Sequence, residues 1–138
     1  MPVLNSLNHS IVEFYEKLSS WENDVVRDKG LTLSQMHTLE VLGIHESIRM
    51  KELAKHMGIT TGTLTVLVDR LEEKKYVCRI PNQTDRRSIL VELTESGQKM
   101  FEEHDRLHLR LIEEITTDLS DSQKELLLSC IDKMNASF

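Results

Sequence analysis

One tryptophan, two tyrosines, three phenylalanines, two prolines, five glycines and two cysteines are all that a chain of 138 residues contains of these types. So little proline and glycine leaves few places where regular structure must break, and long helices are expected to dominate. Cys78 and Cys130 lie far apart with no CxxC spacing. That excludes a disulfide framework and a thiolate metal knot, and both are expected to be buried, inert thiols. No apolar run approaches the length of a membrane span and no apolar segment opens the chain. Neither a spanning helix nor a secretory leader is expected, and the reading is a cytoplasmic protein with no membrane partner.

What is present is the composition of a globular chain, 39% hydrophobic and 29% charged, long enough for one domain over residues 1–138. The net charge of −6 argues at first against nucleic acid, because phosphate contacts need lysine and arginine. The charge is unevenly spread. Residues 49–87 hold nine Lys and Arg against five Asp and Glu, a local +4, and the rest of the chain carries −10. A basic middle between acidic arms suits a DNA reader mounted on an assembly scaffold, since DNA responds to the local field.

Leu7, Ile11, Phe14, Leu18, Trp21 and Val25 alternate spacings of four and three, a heptad seam that predicts a long first helix with a partner, ended by Lys29-Gly30. LTLSQMHTLEVLGIH predicts a buried second helix and MKELAKHM a short third, closed by Gly58. Thr60 offers an N-cap to a fourth helix whose Leu64, Leu67, Val68 and Leu71 form one apolar stripe. YVCRIP and SILVEL, joined by NQTDRRS, predict a β-hairpin with a basic tip. From Thr94 to about residue 117 the chain is again helical, and Ser120 caps a last helix.

Helix, short helix, turn, helix and basic hairpin is the order of a winged helix-turn-helix: a mainly α fold with a small β-hairpin wing. Small polar residues at the exposed start of the fourth helix permit close entry to a major groove, and a basic wing reaches the adjacent minor groove and backbone. Thr60, Thr61, Gly62, Thr63 and Thr65 are the candidate DNA-facing residues, with Thr61 and Thr65 at base edges or phosphates and Thr63 in support.

The stretch ELAKHMGITTGTLTVLVDRLEEKKYVCRIPNQTDRRSILVELTESG resembles the winged-helix core of MarR-type transcriptional regulators, and DRR followed by LTESG is its most specific part. The resemblance implies a six-helix homodimer, with dimerisation helices at 1–30 and 94–138 flanking a DNA-binding lobe at 31–93. It implies Arg87 as the wing arginine entering the minor groove and Arg86 as a backbone contact. Asp85 would orient the wing, with Arg79 on the opposing strand. Two positions depart from the family pattern. Lys75 stands where glycine is usual, and Val66 replaces an arginine on the recognition helix.

EEHDRLH places His104 and His108 one helical turn apart. At about 100° per residue they share a stripe with Phe101, Leu111 and Ile115, so solvent decoration is excluded. Two buried imidazoles need partners, supplied either by a polar cluster or by a shared metal. His37, on a stripe with Leu33, Val41 and Ile44, and Glu22, beside the heptad seam, complete a candidate N3O set suited to Zn²⁺. A zinc-sensing branch of the family, repressors of zinc uptake, is similar at these positions: a glutamate in the first helix, a histidine in the second and HxxxH in the fifth. Of that branch's second site only Glu103 survives, since Met36 precedes His37 and no cysteine lies between the first two helices. The resemblance therefore implies one zinc per subunit. His9, His45 and His56 are read as surface or structural residues.

HDRLH approximates the HExxH of zinc proteases, but Asp105 is a methylene too short and a fourth protein ligand closes the open position catalysis needs. No enzyme is expected. The expectation is a repressor that binds a pseudo-palindromic double-stranded operator and is tightened by zinc. The alternative is a repressor released by a small aromatic or lipophilic anion, for which Tyr15 and Tyr76 offer few aromatic contacts.

Overall fold

The computed structural model describes residues 1–85 and 87–138. Helix α1 spans Pro2–Asp28, α2 Leu33–His45, α3 Met50–Met57, α4 Thr61–Glu73, α5 Glu95–Ile115 and α6 Asp121–Ala136; the strands are β1 Ile48–Arg49, β2 Val77–Pro81 and β3 Ile89–Leu93.

Local chemistry sets most of these limits. Thr32, Thr60 and Ser120 are N-caps whose side chains accept from the amides of Gln35, Thr63 and Gln123. The first and last are full capping boxes. Three helices end in one way, with a residue in the left-handed region and the next amide donating back to the carbonyl five residues earlier. Gly30 (φ 72) precedes the Leu31-to-Val26 bond, Gly58 (φ 66) the Ile59-to-Ala54 bond, and Lys75 (φ 66) the Tyr76-to-Leu71 bond. Lys75 adopts the conformation that glycine usually fills.

The wing is broader than the sequence suggested. Instead of a two-stranded hairpin there is a three-stranded antiparallel sheet in the order β1-β3-β2, with Ile48 opposite Val91 and Cys78 opposite Glu92. A two-residue strand carries no alternation to read, which is why β1 escapes sequence analysis.

By contacts the chain divides into two compact units, Met1–Phe101 and Glu102–Phe138. The first contains the core: Val26, Leu31, Met36, Leu39, Val41, Leu42, Ile48, Leu53, Ala54, Leu64, Val68, Leu71, Val77 and Val91. Each large side chain fully buried there is worth about 1.5–3 kcal/mol. The start of α5 is locked to this unit. A Cβ on Gly97 would collide with the Tyr76 carbonyl, and one on Gly43 would strike the Phe101 ring. Thr94 donates its hydroxyl to the Lys75 carbonyl at 2.6 Å and accepts from the Gly97 amide at 3.1 Å, capping α5 against the end of α4.

In the heptad seam of α1, Leu7, Ile11 and Phe14 are exposed and Leu18, Trp21 and Val25 half-buried. The second unit holds the rest of α5 and α6. Leu126, Leu127, Leu128, Ile131 and Met134 of α6 are all exposed. So is Cys130, which corrects the expectation of two buried thiols. Among the described residues, no helix is long and apolar enough to cross a membrane.

Candidate nucleic-acid interface and histidine pair

The fourth helix has two chemically distinct sides. Leu64, Val68 and Leu71 are buried, while Thr61, Gly62, Thr63, Thr65 and Val66 are exposed. Its exposed start is ordered internally: Thr60 Oγ1 donates to Thr63 Oγ1 at 3.0 Å and accepts from the Thr63 amide at 3.2 Å. Thr65 Oγ1 donates to the Thr61 carbonyl at 2.8 Å. A Cβ on Gly62 would meet only Thr60 Oγ1 at 3.9 Å, so packing does not require glycine there. The helix presents short hydroxyl and methyl groups on a rigid frame, a surface that a base edge approaches closely.

Arg79 ties the wing to this helix. Its guanidinium pairs with Asp69 at 2.7 Å and with Glu72, both on α4. Asp85, the expected wing-orienting residue, accepts from the Arg87 amide at 3.0 Å. The sequence shows β2 facing β3 but not which helix lies behind β2, so Asp69 and Glu72 were missed. Asn82 was missed as well. Buried at the wing base, it donates to Ser88 Oγ at 3.0 Å, while its oxygen accepts from the amide and hydroxyl of Thr84. An Asn that begins an NQTD turn is the local signal that could have found it. Arg87 is exposed beyond this turn. Arg86 lies outside the described residues. Arg49, Lys51, Lys55, Arg70 and Lys75 are also exposed in the first unit.

In the second unit, His104 is fully buried and His108 half-buried, with ring centroids 4.7 Å apart and ring planes at 75°. Their Nε2 atoms stand 3.1 Å apart. Two imidazole nitrogens on one tetrahedral zinc, each about 2.0–2.1 Å from the ion, stand about 3.3–3.4 Å apart, so the pair fits either a shared cation or an N–H···N hydrogen bond.

In the first unit, Glu22 of α1 is half-buried. His37 of α2 is exposed, as are Leu33 and Ile44 on the stripe expected to be buried. His37 lines a cavity of about 360 Å³ with Leu33, Ser34, Met57, Ile59, Thr63 and Leu67. Helical spacing reported which residues share a face but not which face is covered.

Cys78 of β2 is half-buried, and its Sγ lies 4.0 Å from a Glu92 oxygen. Burial, and then the negative charge of Glu92, push its thiol above the usual cysteine range.

The sequence matches the MarR family over residues 31–89. It is 30% identical to the transcriptional repressor MdtR of Bacillus subtilis, over 73% of this chain and 65% of that protein. The match therefore spans just under two thirds of MdtR's length. It is 34% identical to the HTH-type transcriptional regulator YfiV of the same organism, over 79% of this chain and 71% of YfiV. A MarR variant from Escherichia coli, crystallised with operator DNA, is similar in structure with a TM-score of 0.72 at 29% identity, over 93% of this chain and 92% of that one.

Proposed function

The chain belongs to the MarR family of transcriptional regulators, and from that premise we propose that it is a homodimeric repressor of a pseudo-palindromic operator whose grip tightens when Zn²⁺ binds His104 and His108. The DNA reading rests on one observation above all: a threonine-lined helix start, exposed over a buried stripe and tied by Arg79 to a basic wing. A relative of 29% identity is complexed with operator DNA. The apolar side chains exposed on α1 and α6 support a dimer. Two recognition helices about one DNA turn apart then read two half-sites.

The zinc reading rests on the 3.1 Å separation of the two Nε2 atoms. The sequence pattern nominates Glu22 and His37 as further donors, and Zn²⁺ there would act as a structural cross-link with no chemistry of its own. A metal that prefers the DNA-competent arrangement tightens DNA binding, and DNA tightens the metal by the same factor. Zinc stoichiometry by competition with a chromophoric chelator tests it. One tight equivalent, lost in His108→Ala, is the expected result, and a chain that takes up no zinc against the chelator refutes it.

A second reading, release from DNA by a small aromatic or lipophilic anion, is favoured by the cavity beside His37. Leu33, Met57, Ile59 and Leu67 supply apolar walls, with Ser34 and Thr63 hydroxyls beside them, and Thr63 and Leu67 belong to the recognition helix itself.

A further inference from the structure

Helix α1 is held to its unit chiefly at one joint. Of its 27 residues only Val26, in the last turn, is buried. The chain then turns through Gly30 to Thr32, the N-cap of α2, and a cavity of about 400 Å³ adjoins the turn, lined by Val26, Arg27, Leu31 and Thr32 among others. Apolar packing therefore leaves the joint incompletely filled.

Lys74, the C-cap of α4, reaches this joint from 44 positions beyond Gly30. Its Nζ donates to the Gly30 carbonyl at 2.8 Å and to Gln35 Oε1 at 3.2 Å. Both acceptors are fixed in advance. Gly30 is held in the left-handed turn by its own amide, which donates to the Arg27 carbonyl at 3.0 Å. Gln35 is buried, and its Oε1 also accepts from the Thr32 amide at 3.1 Å as half of the capping box. The ammonium lies just past the C-terminus of α1, where the partial negative charge of the helix favours a cation. One side chain thus ties the ends of α1 and α4 to the start of α2.

We propose that Lys74 is a positioning residue for DNA binding: its clamp sets the angle of α4 to α1, and with it the separation of the two half-sites that the dimer reads. The inference rests on the DNA-binding dimer proposed above. In a two-fold assembly joined through α1, a rotation of one lobe about the joint is repeated in the other, so the displacement is compounded between the two α4 helices. Lys74 is exposed, so its bonds add little to folding stability; what they fix is an angle.

The test compares the full native chain with Lys74→Met, which keeps the stem and removes the donors, and with Lys74→Arg, which keeps a cationic donor. Duplexes selected from a random pool are remade with the half-sites one base pair closer or further apart, and with a single half-site. The native chain should lose affinity several-fold when the spacing changes. Lys74→Met should bind the selected duplex several-fold more weakly, discriminate less among spacings, and bind the single half-site as the native chain does, with an unchanged salt dependence and a near-native melting temperature. Lys74→Arg should restore the spacing preference at least in part. An unchanged spacing preference in Lys74→Met overturns the proposal. So does an equal loss on single and paired half-sites with a salt dependence shallower by about one unit of logarithmic slope per subunit, which would make Lys74 a phosphate contact. A native chain that binds no duplex overturns the DNA-binding reading itself, and this inference with it.

Discussion

Lys75 holds φ 66 at the end of α4 because the fold needs a left-handed residue there: its own amide donates to the Glu72 carbonyl and the next amide to Leu71. An L side chain in that region costs roughly 1–2 kcal/mol, and glycine avoids it while giving back some chain entropy. Lys75→Gly should therefore stabilise the protein by about 1 kcal/mol, seen as a higher calorimetric melting temperature; an unchanged or lower one would show the turn to be unstrained. Cys78 and Cys130 should also separate. A raised thiol pKa means less thiolate at any given pH, so half-buried Cys78 should alkylate more slowly than exposed Cys130 between pH 7 and 8. Glu92→Gln removes the nearby charge and should speed Cys78 alone. Mass-spectrometric time courses with iodoacetamide follow both sites, and equal rates would contradict the assignment.

At the scale of elements, α4 and the wing form one device held by Arg79. That guanidinium is about a quarter exposed, so its pairs with Asp69 and Glu72 are worth about 1 kcal/mol or less to stability. Arg79→Ala should nonetheless weaken DNA binding several-fold, because the wing loses its fixed angle to α4, while circular dichroism stays native. Gly62→Ala should separate stability from function. It removes a helical glycine where there is space, gaining about 0.5–1 kcal/mol, and adds a methyl group to the surface proposed to face DNA, which should lower affinity. A Gly62→Ala protein both more stable and equally tight on DNA would show that this face stays clear of the groove.

The helix ends were legible in the sequence because caps are local: Thr60, Ser120 and Gly58 each act within a few residues of themselves. The partners of Arg79, the two-residue β1, the ring stack of His45 on His56 and the exposure of His37 were not, because each depends on which elements the chain folds side by side. The histidine pair in α5 stands between these cases. Its spacing along the helix was readable, whereas its 3.1 Å approach and the complete burial of His104 required coordinates.

At the scale of the whole molecule, the charge distribution and the apolar side chains exposed on α1 and α6 suit the proposed DNA-binding homodimer. Residues 49–87 carry a net +4 and the remainder −10, a distribution that in the proposed reading confines attraction for DNA to the wing and helix α4. Removing the wing charge with Arg87→Ala should lower operator affinity and make its salt dependence shallower by about one unit of logarithmic slope per subunit, leaving zinc uptake intact. The direct test of a zinc-tightened repressor is fluorescence anisotropy with duplexes selected from a random pool, titrated with and without zinc. Zinc should tighten binding at least five-fold, the lower end of ordinary allosteric coupling, which is about 1 kcal/mol. His108→Ala should bind as the zinc-free protein does. Equal affinity in zinc and in chelator, or tighter binding in chelator, would contradict the account.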